Sequence, residues 1–77
     1  MSKLQLINAR DMEKLLMNLG FSKVRQKGSH AFYRHEDGRT TTVPFHISID
    51  LARPLIREIM NEINISVVEY NSLLKQL

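Results

Sequence analysis

Apolar residues near the start of the chain recur at helical spacing. Ala9, Met12, Leu15, Leu16 and Leu19 follow Asn8, a good N-cap, and Gly20 stands where a left-handed residue ends a helix. This predicts a first helix from about Ala9 to Leu19, with the short mixed stretch from Met1 to Ile7 either joining it or leading into it. Past Phe21 the period changes. Lys23, Val24 and Arg25 alternate charged and apolar, Lys27-Gly28 supplies turn chemistry, and Ala31 to Tyr33 resume with strand formers. The pattern predicts a first strand around Lys23 to Gln26 and a second from about Ser29 to His35. Glu36-Asp37-Gly38-Arg39 then turns the chain into a third strand, Thr40 to Val43. That strand must stop by Pro44, which has no N–H to give a ladder.

Pro54 has the look of a first-turn proline, and Leu55, Ile56, Ile59, Met60 and Ile63 behind it form an amphipathic stripe, so a second helix is expected over about Arg53 to Ile63. Asn64 can take the left-handed cap conformation. Ser66-Val67-Val68-Glu69 fits a capping box that opens a last helix with Tyr70, Leu73 and Leu74 inward. The order is helix, three-stranded antiparallel meander, helix, helix: an α+β fold whose small sheet is covered on one face and open on the other.

At 77 residues the chain is expected to be a single domain with a modest core and no room for a separate cofactor domain. Its 43% apolar and 25% charged residues suit a folded globular protein. With no cysteine there is neither a disulfide framework nor a thiolate metal site. No apolar run approaches a membrane span and the first residues lack a signal-peptide core, so the expected location is cytoplasmic, with no membrane partner. The net charge of +3 is local in origin. Between Lys23 and Arg34 the chain carries four cations and no carboxylate, while the stretch from Asp50 onward is nearly balanced. Such a patch permits a nucleic-acid partner.

The candidate chemistry falls in that same stretch. His30 follows a Gly-Ser turn at the hairpin tip, and an imidazole with an ordinary pKa of about 6.5 can move protons near neutrality. It can take a proton from an RNA 2′-OH or give one to the leaving oxygen without a metal. The bland alternative is an exposed histidine with no task. Phe32 shares a face with His30 in an unbulged strand and Ala31 and Tyr33 take the other; parity alone leaves open which face is core. By the same alternation Lys23, Arg25 and Lys27 lie on one face and can line a phosphate track, or be the ordinary solvated face of an edge strand. Gly28 serves the turn, and Ser29 either caps it or hydrogen-bonds phosphate. His46, in Val-Pro-Phe-His, is a second proton-transfer group, an RNA contact, or a buried residue fixing a corner. His35, beside the Glu36-Asp37-Gly38 turn, is expected at the surface. The three histidines have no metal-ligand spacing, and neither metal nor small-molecule cofactor is expected.

Gly20-Phe21, Arg25-Gln26-Lys27-Gly28-Ser29-His30, Val43-Pro44-Phe45-His46 and the stretch from Leu51 to Ile65 together resemble the HicA (YcfA-like) toxins. The resemblance runs from about Leu15 to Ile65. It implies a double-stranded-RNA-binding-domain-like fold and an mRNA interferase activity. It also implies inhibition by a HicB-like antitoxin and a catalytic role for the histidine of Gly-Ser-His, here His30. Pro54 and Asn64 stand where glycine is common in that family, and the segment from Ser66 onward extends past its compact pattern. Two other readings remain: a non-catalytic RNA-binding module of the same fold, and a basic interaction protein that docks an acidic partner.

Overall fold

The computed structural model describes residues 3–46 and 49–77. Helix α1 (Ala9–Asn18) starts where Asn8 turns its side-chain oxygen back to the Asp11 N–H at 2.8 Å. It ends in a Schellman motif: the Gly20 N–H bonds the Met17 carbonyl and the Phe21 N–H reaches back to Leu16. Gly20 makes this possible with φ +98°. Strands β1 (Ser22–Lys27), β2 (His30–Arg34) and β3 (Thr40–Pro44) form the antiparallel meander in the order β1-β2-β3. Helix α2 (Arg53–Ile63) begins with Pro54 in its first turn and stops at Asn64, which adopts the left-handed conformation. Helix α3 (Val67–Leu74) opens with the capping box, Ser66 and Glu69 each accepting from the other's backbone N–H at 3.1 Å.

The sheet has one dry face. Ala31 and Tyr33 of β2 and Thr41 and Val43 of β3 are buried against Met12, Leu15 and Leu16 of α1 and Ile56, Ile59 and Ile63 of α2 in one contiguous cluster. His30, Phe32, Arg34, Thr40 and Thr42 take the opposite, open face, which resolves the parity left open by the sequence. Side-chain hydrogen bonds tie the third strand and the turn before it to α2. The Thr41 hydroxyl donates to Glu62 Oε1 at 2.7 Å, and Arg39 Nη1 donates to the Ile63 carbonyl near the end of α2.

Residues 3–7 lead into α1 as an extended stretch held from three sides. The Leu51 N–H donates to the Ile7 carbonyl at 2.8 Å, Arg53 Nη1 to Leu4 at 2.8 Å, and the Tyr70 hydroxyl to Gln5 at 2.6 Å. Tyr70 is fully buried; burial, with the nearby Asp50 charge, pushes its phenol up to about 12. Leu73 and Leu74 are only partly buried, packed at the rim of the core. Among the described residues no helix is long and apolar enough to cross a membrane.

Two expectations need correction. The first strand is longer than the sequence pattern suggested, and it is not regular. Lys23 pairs with Tyr33 but Arg25 pairs with Phe32, so a β-bulge inserts Val24 as an extra residue. An extra residue shifts the period-two pattern by one place. Lys23 therefore goes to the helix side of the sheet, while Arg25 and Lys27 stay on the open side. The second correction is His35, expected at the surface. Its ring is partly buried, packs edge-on against Phe21 at 5.1 Å, and spans the α1 C-terminus and the β2–β3 turn. Nε2 lies 3.1 Å from the Leu19 carbonyl, and Nδ1 lies 3.1 Å from the Asp37 backbone nitrogen and 3.2 Å from Asp37 Oδ1.

Candidate functional site

Gly28 and Ser29 are the two loop residues of the first hairpin, since Lys27 and His30 already pair across it. Gly28 takes φ +59°, with nothing within 4 Å of where a Cβ would stand, so glycine is there for backbone conformation and not for space. The Ser29 carbonyl accepts the Phe45 N–H, which carries the ladder one step beyond Pro44 and ties the tip to the outgoing strand. This tight loop fixes the first residue of β2, His30, between Lys27 on one neighbour and Pro44 on the other.

On the open face Arg25, Lys27, Gly28, His30, Phe32 and Thr42 line a shallow depression of about 450 Å³. The size sits at the small end of ligand clefts, enough for a nucleotide-sized group. His30 is exposed there, and Phe32, one alternation further along β2, is half-buried with the Arg25 guanidinium over its ring at 5.6 Å from the centroid. Two cations beside an accessible imidazole make an arrangement that can attract an anion and that carries a group capable of proton transfer. Arg34, also exposed on this face, extends the positive charge toward the far end of the strand.

The bulge separates the candidates drawn from the sequence. His30, Arg25 and Lys27 come together. Lys23 does not join them: its Nζ lies 2.8 Å from Glu13 Oε2 of α1, 3.2 Å from Gln26 Oε1 and 5.2 Å from the centre of the Phe45 ring. Ser29 is half-buried at the tip and lies outside the lining of the depression. His46 is exposed just past Phe45 and is likewise outside that lining. Among the described residues no three histidine or acidic side chains group as metal ligands. Two features escaped the sequence. Phe32 was placed beside His30 by parity but given no role, and Thr42 was read only as a strand residue.

Behind the sheet lies a second polar cluster. Glu13 Oε2 accepts both the Tyr33 hydroxyl and the Lys23 ammonium. Burial is the largest single influence on the Glu13 carboxyl and pushes it up. The hydrogen bonds from Lys23 and Tyr33, with the charges of Lys23 and Arg10, outweigh it and hold the group below the usual carboxylate range. Tyr33 is pushed far above the ordinary phenol range, by burial first and by the Glu13 carboxylate second. These groups stay ionised and neutral respectively at neutral pH, and they join α1 to the bulged edge of β1.

The molecule is thus a small α+β domain with helices on one sheet face and a cationic, histidine-bearing depression on the other. The family model described as the HicA toxin of bacterial toxin–antitoxin systems matches residues 9–65, well over half the chain, and the protein belongs to that family. It is a toxin-type component, and its family implies a cognate antitoxin partner. The match stops short of α3 and of the extended stretch at 3–7, which pack on each other. A search of curated proteins returns no match.

Proposed function

We propose that this toxin is an endoribonuclease that binds mRNA across the open sheet face and cuts it by His30 acid/base chemistry, stopping translation in the cytoplasm. The observation that carries the reading is the depression itself, where an exposed imidazole is flanked by Arg25 and Lys27 on a solvent-open sheet. In the reaction the RNA 2′-oxygen attacks the adjoining phosphorus, its proton is taken up, and the bond to the 5′-oxygen of the next nucleotide breaks as that oxygen gains a proton. His30 stands where it can serve one of these transfers. Arg25 and Lys27 offset the charge that builds on the phosphoryl oxygens, the kind of stabilisation that acts most strongly where charge develops. Ser29 and His46 flank the path of the strand at the tip and beyond β3, as outer contacts for the RNA backbone. Lys23, held by Glu13, is left out of the contact set. The cognate antitoxin keeps the enzyme silent by covering the depression.

The test is RNA incubated with purified protein in excess EDTA, with His30→Gln as the paired variant. Wild type is expected to fragment the RNA, while His30→Gln binds it, melts with wild type and is slower by about 10²- to 10⁴-fold, the usual share of one general acid or base. An exposed position makes the fold insensitive to the change, within about 0.5 kcal/mol. Binding without cutting by wild type would instead support a non-catalytic RNA-binding module, and equal cutting by the variant would remove His30 from the chemistry.

A further inference from the structure

We infer that Phe32, with Arg25 beside it, is a nucleobase-binding subsite that holds an unpaired base next to the bond being cut; the inference rests on the ribonuclease reading above. A half-buried aromatic ring on a solvated sheet face has part of its π surface to offer a ligand. Among the described residues Phe32 is the one apolar side chain lining the depression, and its companions there are Arg25, Lys27, Gly28, His30 and Thr42. A protein-docking patch would need a cluster of apolar side chains at its centre. A single ring set among cations has instead the composition of a single-strand nucleic-acid platform, where bases stack on aromatics while cations follow the backbone.

The register fixes the ring relative to the chemistry. Phe32 lies two residues from His30 on the same strand, about 7 Å along β2, so a single nucleotide can reach both. On one side it pairs with Arg25, whose guanidinium is 5.6 Å from the ring centroid, and on the other with Thr42, which is small and leaves the ring accessible. Ring and guanidinium are both planar groups on which a base can stack. A duplex keeps its base faces stacked inside the helix and cannot offer one to Phe32. The subsite therefore selects RNA that is unpaired at the cut, a selection made by the open sheet face and not by the helices behind it.

The experiment uses the full chain carrying His30→Ala, so that RNA is bound and not consumed, with a labelled single-stranded RNA of about ten nucleotides, within the usual span of such platforms. Adding Phe32→Leu keeps apolar bulk but removes the π face. It should weaken binding by about 5- to 150-fold, the equivalent of the ~1–3 kcal/mol that one stacked base contributes. Because stacking releases no counterions, the dependence of affinity on salt should keep its slope. Phe32→Tyr, which keeps the ring, should bind as the parent does, and binding of the same sequence as a duplex should not respond to Phe32→Leu. Equal binding of single-stranded RNA with and without Phe32→Leu overturns the subsite, as does an equal loss for single strand and duplex. If unsubstituted protein cuts RNA while Phe32→Leu has no effect, only the subsite falls. If it neither binds nor cuts RNA, the ribonuclease reading falls and the subsite with it.

Discussion

Tyr33→Phe probes the polar cluster behind the sheet, and its cost can be worked out from the geometry. Tyr33 is fully buried and its hydroxyl donates to a Glu13 carboxylate that also takes the Lys23 ammonium at 2.8 Å. A hydrogen bond to a charged group contributes about 1.5–3 kcal/mol to stability, against about 0.5–1.5 for a neutral one. Glu13 keeps some access to water and keeps Lys23, so it is not stranded, and the loss should fall at the low end, about 1.5–2 kcal/mol at pH 7. Its pH dependence carries the sharper test. The Glu13 carboxyl is held below its ordinary range in the folded protein, so its contribution is fully present above the unfolded carboxylate pKa of about 4.3 and is lost as pH falls through the lower folded value. Once Glu13 is protonated the Tyr33 bond is neutral to neutral, and the gap between wild type and Tyr33→Phe should shrink to about half or less. Urea unfolding of both proteins from pH 7 down to about pH 2.5 reads the difference directly, and other carboxylates that titrate in both proteins cancel. A gap below about 0.5 kcal/mol at pH 7, or one that stays constant across the range, would refute the charge-assisted bond. Because the cluster faces away from the depression, Tyr33→Phe should leave RNA cutting at the wild-type rate at temperatures where it remains folded.

Gly20→Ala should destabilise the protein by about 1–3 kcal/mol in a thermal melt, because φ at +98° strains any side chain and the added Cβ would stand 3.1 Å from His35 Nε2. The same melt should find Gly28→Asn within about 0.5 kcal/mol of wild type, since that site is open and Asn tolerates the left-handed region. RNA affinity should fall with salt; Arg25→Ala is expected to flatten the log–log slope by about 0.7, one phosphate on a single strand, while Lys23→Ala leaves it unchanged. Equal flattening by the two variants would mean that the bulge does not keep Lys23 from the RNA.

The helices were legible because their signals are local. Asn8 and Gly20 bracket α1, Pro54 and Asn64 bracket α2, and Ser66 with Glu69 opens α3; each acts through its own turn of backbone, so the sequence alone carries them. The His30 position was legible for the same reason, since a two-residue loop at Gly28-Ser29 sets the start of β2 with no help from the rest of the fold. His35 was not, because the groups that hold it come from the end of α1 and from Phe21, which the fold brings to it. The clamp on residues 3–7 was illegible in the same way, its partners Leu51, Arg53 and Tyr70 lying far along the chain.

The grouping of the cations failed for a different reason, and that reason bears on how the site is built. Alternation fixes a strand's faces only where one face is dry, because burial then penalises a slip of one residue. All of β1 is exposed, so nothing in Lys23-Val24-Arg25-Gln26-Lys27 resists an extra residue, and the neighbours decide the register. At one end Glu13 and Tyr33 draw Lys23 to the helix side; at the other the Gly28-Ser29 loop pins Lys27 opposite His30. With both ends fixed, the chain between them holds one residue too many for a regular ladder, and Val24 is the residue that bulges. The bulge is therefore what allows one short strand to brace the core with its first cation and to present Arg25 and Lys27 beside His30 with the next two.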